Sequence, residues 1–347
     1  MKKILIAALL FSGVSCVALA DYTNGLAAFQ RADYALAVQE LSDASDMNDA
    51  KAQYLLGFMY YHGYGVPQNY KKAFSLFERS MELGNIDSQT FLAYMYDEGK
   101  GVATNKRKAF ELYQSSAEQG DVTATMNLGV LFYRGDGVPQ NYDKAFELMS
   151  SIENAQHPIV QFYLGNLYFY GFGTAKNMEK AVPYYIEAAR LGSIEAHYVL
   201  GHLYQNGLGV DQDLPKAAAY YEYAAVNGYP LAQFNLATMY ADGQIGSVDQ
   251  VKAYAWLSLA VKNDVEPAKK ALSILSEKMS LSEISRAKAE IVDLERRLNR
   301  PDVASPVPPR PGQSVNGMPE NVNGTELDAN ADATRVKRRS ARMMRRR

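Results

Sequence analysis

Residues 57–73 read GFMYYHGYGVPQNYKKA, and residues 129–145 read GVLFYRGDGVPQNYDKA. The frame they share recurs every 36 residues, without insertion or deletion, as Gly57, Ala93, Gly129, Gly165, Gly201 and Ala237. A second ladder, Gly63, Gly99, Gly135, Gly171, Gly207 and Gly243, keeps one residue type throughout. A third runs through Lys72-Ala73, Lys108-Ala109, Lys144-Ala145, Lys180-Ala181, Lys216-Ala217 and Lys252-Ala253, placing six copies of one unit over residues 52–267. A period of this length marks a solenoid, in which no unit buries its apolar face alone and stacking supplies the core. The expected class is all-α, and function is to be sought on a surface rather than in a pocket.

Within a unit, Tyr54, Leu55, Leu56, Met59 and Tyr60 share a helical spacing, so a first helix is expected there. Gly63 and Gly65 are expected to stop it, because glycine enters the left-handed region that costs other residues about 1–2 kcal/mol. The loop that follows ends on Asn69, Asn105, Asn141, Asn177, Asp213 and Asp249, each read as the N-cap of a second helix. That helix carries the Lys-Ala pair, whose alanine marks close helix contact, and usually ends at Gly84, Gly120, Gly192 or Gly228.

The pattern Ala52, Leu56-Gly57, Tyr60, Gly63-x-Gly65-Val66, Asn69, Lys72-Ala73, Gly84 resembles the Sel-one-like repeat, a relative of the tetratricopeptide repeat. The resemblance implies antiparallel helix pairs stacked into a right-handed superhelical solenoid of six 36-residue repeats with terminal capping helices. Departures are local: Gln156 and Asp264 replace the final glycine, Ile245 the second loop glycine and Thr174 the loop valine. Residues 21–51 resemble a tetratricopeptide-like capping pair with a break near Asp33. Residues 268–300 are expected to form C-terminal capping helices with a polar outer face, and residues 301–334, rich in Pro, Asn, Gly and Asp, a disordered linker.

Residues 1–20 have the three parts of a secretory signal peptide: Lys2-Lys3, an apolar run from Ile4, and Ala18-Leu19-Ala20 before Asp21. Export to the periplasm or beyond the cell follows as an expectation. A lipoprotein anchored through Cys16 is the alternative, against which Gly13-Val14-Ser15 is a poor approach. Cleavage after Ala20 discards the single cysteine and leaves no thiol for a disulfide or for cysteine-ligated zinc. Charge is split as well. Of 36 Lys and Arg, two precede residue 21 and eight fall in residues 335–347, leaving 26 against all 38 carboxylates.

No enzyme, metal or cofactor is expected. His62, His157, His197 and His202 fall in no metal or catalytic spacing, and no nucleophile elbow or phosphate-binding Lys-Ser pair appears. The Asn323-Gly324-Thr325 sequon is read as coincidence in the linker. Cysteine-rich relatives implied by the resemblance are linked to β-lactam binding or hydrolysis, but this chain lacks their cysteines.

Copies can be compared with one another, since positions that hold the stack repeat and the others diverge. On the first helix four positions diverge three or four residues apart, in one stripe. They are the ladders that begin at Leu55, Phe58, Tyr61 and His62. The resemblance places first helices on a concave face, so the candidate ligand groove comprises Phe58, Tyr61, His62, Tyr94, Asp97, Asn127, Arg134, Tyr163, Asn166, Phe169 and His202. Aromatic residues with polar rims are what binding hot spots use. The alternative is that several of these rings only pack between units.

A second candidate is the tail: Arg335, Lys337, Arg338, Arg339, Arg342, Arg345, Arg346 and Arg347, with no carboxylate among them. Such a segment binds an anionic envelope surface, nucleic acid, or the acidic body of the same chain, increasingly weakly as salt rises. The leading reading is a non-catalytic adaptor of a bacterium that binds protein or peptide partners in its groove, with an envelope or host-contact role. The competing reading is an envelope-polymer binder acting through the tail.

Overall fold

A computed structural model describes residues 13–298; the linker and the basic tail from Arg335 to Arg347 lie outside the described residues. Sixteen α-helices and one short 3-10 turn make up the described chain, with no strand among them. They fall into two compact units that divide between Ala155 and Gln156. The first contains α1 Gly13–Gln30, α2 Tyr34–Asp46, α3 Ala50–His62, α4 Tyr70–Glu82, α5 Ile86–Glu98, α6 Lys106–Glu118, α7 Val122–Arg134 and α8 Tyr142–Ser151. The second contains α9 Pro158–Tyr170, α10 Met178–Arg190, α11 Ile194–Asn206, α12 Leu214–Val226, α13 Pro230–Ala241, α14 Gln250–Lys262, α15 Glu266–Ser276 and α16 Leu281–Leu298. Within each unit consecutive helices pack on one another as far as α15, which is the connectivity of an α-solenoid, and α16 folds back onto α14.

All six expected N-caps form. The side chains of Asn69, Asn105, Asn141, Asn177, Asp213 and Asp249 accept from the backbone N–H of the ladder lysine three residues on. The partner alanines, from Ala73 to Ala253, are fully buried. Their lysines do separate work that was not legible from spacing. Lys72 donates to the Tyr60 hydroxyl at 2.7 Å and lies 4.2 Å from its ring centroid, and Lys108 on Tyr96 and Lys216 on Tyr204 repeat the arrangement. Lys144, Lys180 and Lys252 sit over Phe132, Tyr168 and Tyr240. Each cation therefore ties the second helix of a repeat to an aromatic ring on the first.

The two loop glycines divide the role assigned to them jointly. Gly63 ends α3 in the left-handed conformation and donates its N–H to the Met59 carbonyl. Gly65 lies past the helix end, and a Cβ there would stand 2.6 Å from the carbonyl oxygen of Tyr34 in the preceding helix pair. Gly101 against Tyr70, Gly137 against Lys106, and Gly209 against Met178 repeat that approach in later repeats. The second glycine is thus a seam between neighbours, where backbone meets backbone.

The register continues upstream of the repeats. Asp33 caps α2, Ala37 and Leu41 are fully buried, and Asn48 takes positive φ, standing where Asn69, Ala73, Phe77 and Gly84 stand one step later. Helix α1 runs through the cleavage point expected after Ala20. Where the terminal glycine is replaced, the left-handed turn persists, at Gln156 with φ 47° and at Asp264 with φ 57°. The third repeat is the irregular one, since α8 ends early and Glu153–Ala155 form a 3-10 turn just before the boundary between units.

Candidate functional site

The divergent stripe sorts by depth along each first helix. Its two N-terminal rungs are mostly interior. In the first unit Phe58 is buried, edge-on to Phe29 and Phe91, and Tyr94 is buried against Tyr61 and Phe91. In the second unit Tyr163 and Asn166 are buried, and the Asn166 side chain accepts a 2.8 Å hydrogen bond from the Tyr185 hydroxyl. Asn127 and His202 are half-buried. The Asn206 amide closes on His202, donating to its carbonyl at 2.7 Å.

Openness grows toward the C-terminal end of each first helix. Tyr61 is still buried, its ring edge-on to that of Tyr94, and burial raises the pKa of both phenols. Asp97 is half-buried and ion-paired with Lys106 at 2.6 Å, Phe169 is half-buried, and Arg134 is exposed. The aromatic floor expected of a groove is therefore packed between first helices at Phe58, Tyr61 and Tyr94, and Tyr163 is likewise buried. Between α3 and α5 the rings meet directly, Phe58 and Tyr61 on Phe91 and Tyr61 on Tyr94. What remains accessible in the first unit is a polar edge through Asp97 and Arg134, and in the second unit one through Asn206 and Asp242, with Phe169 and Tyr170 partly open.

His62 has its own chemistry. Its ring sits 4.3 Å from Phe58 and stacks on Tyr64, its Nε2 is buried without a hydrogen-bond partner, and burial lowers its pKa to about 4. The folded state therefore holds it neutral while the unfolded chain takes a proton near pH 6.5. The stability it contributes is complete above that pH and is lost as pH falls through about 4. His62→Phe, which keeps the stacked ring, is expected to gain on the wild type steadily as melts are taken from pH 7 down to pH 4. A constant offset across that range would show that His62 does not titrate with unfolding.

Among the described residues no group of three or more His, Cys, Asp or Glu could hold a metal, and no helix is long and apolar enough to cross a membrane. The arrangement presents surfaces and helix ends rather than an assembled acid, base and nucleophile.

The Sel1 repeat family model matches residues 50–85, 86–121, 122–152, 158–193, 194–229 and 230–265, in phase with the helix pairs above. The chain belongs to the Sel1 repeat family. A search of curated proteins finds none that matches it. Among solved structures, the fold is similar to a Sel1 repeat protein from Oxalobacter formigenes, at 29% identity and TM-score 0.64, over 69% of this chain and 96% of that one. It is also similar to c5321, a protective antigen of uropathogenic Escherichia coli displaying an SLR fold, at 25% identity and TM-score 0.63. That match covers 82% of this chain, which spans only 61% of the antigen. Sel1 repeat proteins are generally non-catalytic scaffolds for protein interaction, so protein partners are the general expectation for this one.

Proposed function

We propose that this Sel1 repeat protein is an adaptor exported from a bacterium, binding a protein or peptide along the C-terminal edge of its first helices. One observation carries the reading. The repeating residues are occupied in holding the stack, the Asn or Asp as caps, the lysine on its aromatic ring and the second glycine at the seam, whereas the open edge differs from copy to copy. Within each unit, a surface released from structural duty, with a different side chain in each repeat, suits the recognition of a protein or peptide partner. The signal-peptide pattern of residues 1–20 supports export, and the likeness to a protective antigen supports contact outside the cell.

Affinity capture with the full chain, followed by cross-linking, tests this. Arg134→Glu and Asp242→Lys reverse exposed charges at the edge, one in each unit. At least one is expected to weaken capture of the cross-linked partner about tenfold or more, with helicity unchanged. Undiminished capture in both variants would overturn the proposal, and capture that disappears only with rising salt would move the site to the basic tail.

A further inference from the structure

The second copy breaks the pattern of its neighbours at position 90. The ladder through position 54 reads Tyr54, Thr90, Met126, Phe162, Tyr198 and Phe234, so Thr90 alone is small. Beside it lies a cavity of about 460 Å3, wholly within the first unit, walled by Tyr54, Ile86, Phe91 and Val122. That volume is within the range of small-ligand sites, roughly 300–1,000 Å3. Two carboxylates line it. Asp87 lies in the first turn of α5, and Asp121 is the N-cap of α7, accepting from the N–H of Ala124 and, at 3.3 Å, from the Thr90 hydroxyl.

Neither carboxylate is ion-paired with a cation among the described residues. The Tyr54 hydroxyl is buried and has no hydrogen-bond partner. A buried phenol left unsatisfied costs free energy that an incoming polar group would recover. Burial and the neighbouring Asp121 charge hold the Asp87 carboxyl above its ordinary pKa. The α5 and α7 N-termini contribute partial positive charge, but Asn85 and Asp121 already satisfy one N–H each, and two carboxylates outweigh the half-charges.

We infer that this cavity is a receptor for an arginine side chain of a peptide: Asp87, Asp121 and the Tyr54 oxygen accept its guanidinium, and Ile86, Phe91 and Val122 cover its methylenes. A guanidinium is planar, carries five donors and tolerates burial better than an ammonium, so it matches two carboxylates and an orphaned hydroxyl. The arginine comes either from a partner or from this chain's own residues 335–347, which hold seven arginines and no carboxylate. The inference rests on the reading of the chain as a peptide-binding scaffold and names one anchor point for it.

The test is fluorescence anisotropy with the full chain and rhodamine-labelled Ala-Arg-Ala, beside the same peptide carrying citrulline or glutamate. The arginine probe is expected to bind at least about tenfold more tightly than the neutral citrulline isostere. Asp87→Asn and Asp121→Asn, the second of which preserves a capping side chain, are each expected to lose about tenfold, and Tyr54→Phe less. Thr90→Met, which fills the cavity with the residue the next copy carries, is expected to block the probe without lowering helicity. Equal binding of arginine and citrulline, preference for glutamate, or undiminished binding to both Thr90→Met and Asp87→Asn would overturn the assignment. Replacing the tail arginines by glutamine in the full chain separates the two sources: tighter probe binding marks the tail as the occupant, unchanged binding a partner. Failure here with the Arg134 and Asp242 effects intact removes only the cavity site, whereas the reverse result removes the edge and keeps the cavity.

Discussion

Tyr221→Ala is expected to destabilise the second unit by about 3–5 kcal/mol. The Tyr221 ring is fully buried, and Gly201 on α11 comes so close to it that an added Cβ would stand 2.6 Å from the ring. Glycine at that point lets the two helices of the repeat approach until the ring fills the space between them. Truncation removes the ring from a contact that the backbone has no room to repack. It also removes the donor to Gln205 Oε1 at 3.1 Å, while the other end of Gln205 holds Gln244 at 3.0 Å. Tyr221→Phe isolates that polar part and is expected to cost about 1–2 kcal/mol. In a stack stabilised by nearest-neighbour interfaces, the lesion spreads outward from its own repeat. Amide exchange is therefore expected to accelerate first in α11 and α12, then in α10 and α13. An alanine variant melting within about 1 kcal/mol of the wild type would show that the ring is not what holds the pair together.

The repeat register made the fold legible because two physical rules act on single residues. An Asn or Asp before an apolar stripe caps a helix, and a Gly after one ends it, so Asn69 and Gly63 could be placed without any tertiary information. The lysine ladder and the second loop glycine were visible as repeats, but their purposes were not, since both depend on atoms 12 or more residues away. The stripe was harder still. Helical spacing shows that Phe58, Tyr61 and Tyr94 share a face, but not how closely the next first helix lies over that face. Divergence between copies misled for a related reason: Phe58, Tyr94 and Asn166 occupy one ladder, differ from copy to copy and are all buried, so a position can vary and still be interior. Thr90 shows the signal that was available. One small residue in a ladder of large ones marks missing volume, and comparing the size rather than the polarity of Tyr54, Thr90 and Met126 would have pointed to the cavity.

Gly209→Ala tests the seam between repeats, and Gly228→Ala supplies its control inside the same repeat. Both glycines have positive φ, 70° and 84°, so alanine carries a conformational cost of about 1–2 kcal/mol at either site. They differ in what a Cβ would meet. At Gly228 nothing lies within 4 Å, whereas at Gly209 the Met178 carbonyl oxygen stands 2.7 Å away, at the start of α10 in the preceding repeat. A carbonyl cannot rotate aside as a side chain can, so the loop must lift off the helix it rests on. That adds an overpacking cost of about 1–3 kcal/mol, for a total of about 2–5 kcal/mol at Gly209. The difference between the two variants thus measures the collision alone, with backbone conformation cancelled. If the two melt together, the second loop glycine is retained for its dihedral angles and the contact with Met178 yields freely. If Gly209→Ala is the worse by the expected margin, repeats are coupled through the approach of loop backbone to helix backbone. A Cβ at Gly65, Gly101 or Gly137 would then loosen the joint between two neighbours in the same way, even where each helix pair on its own is intact.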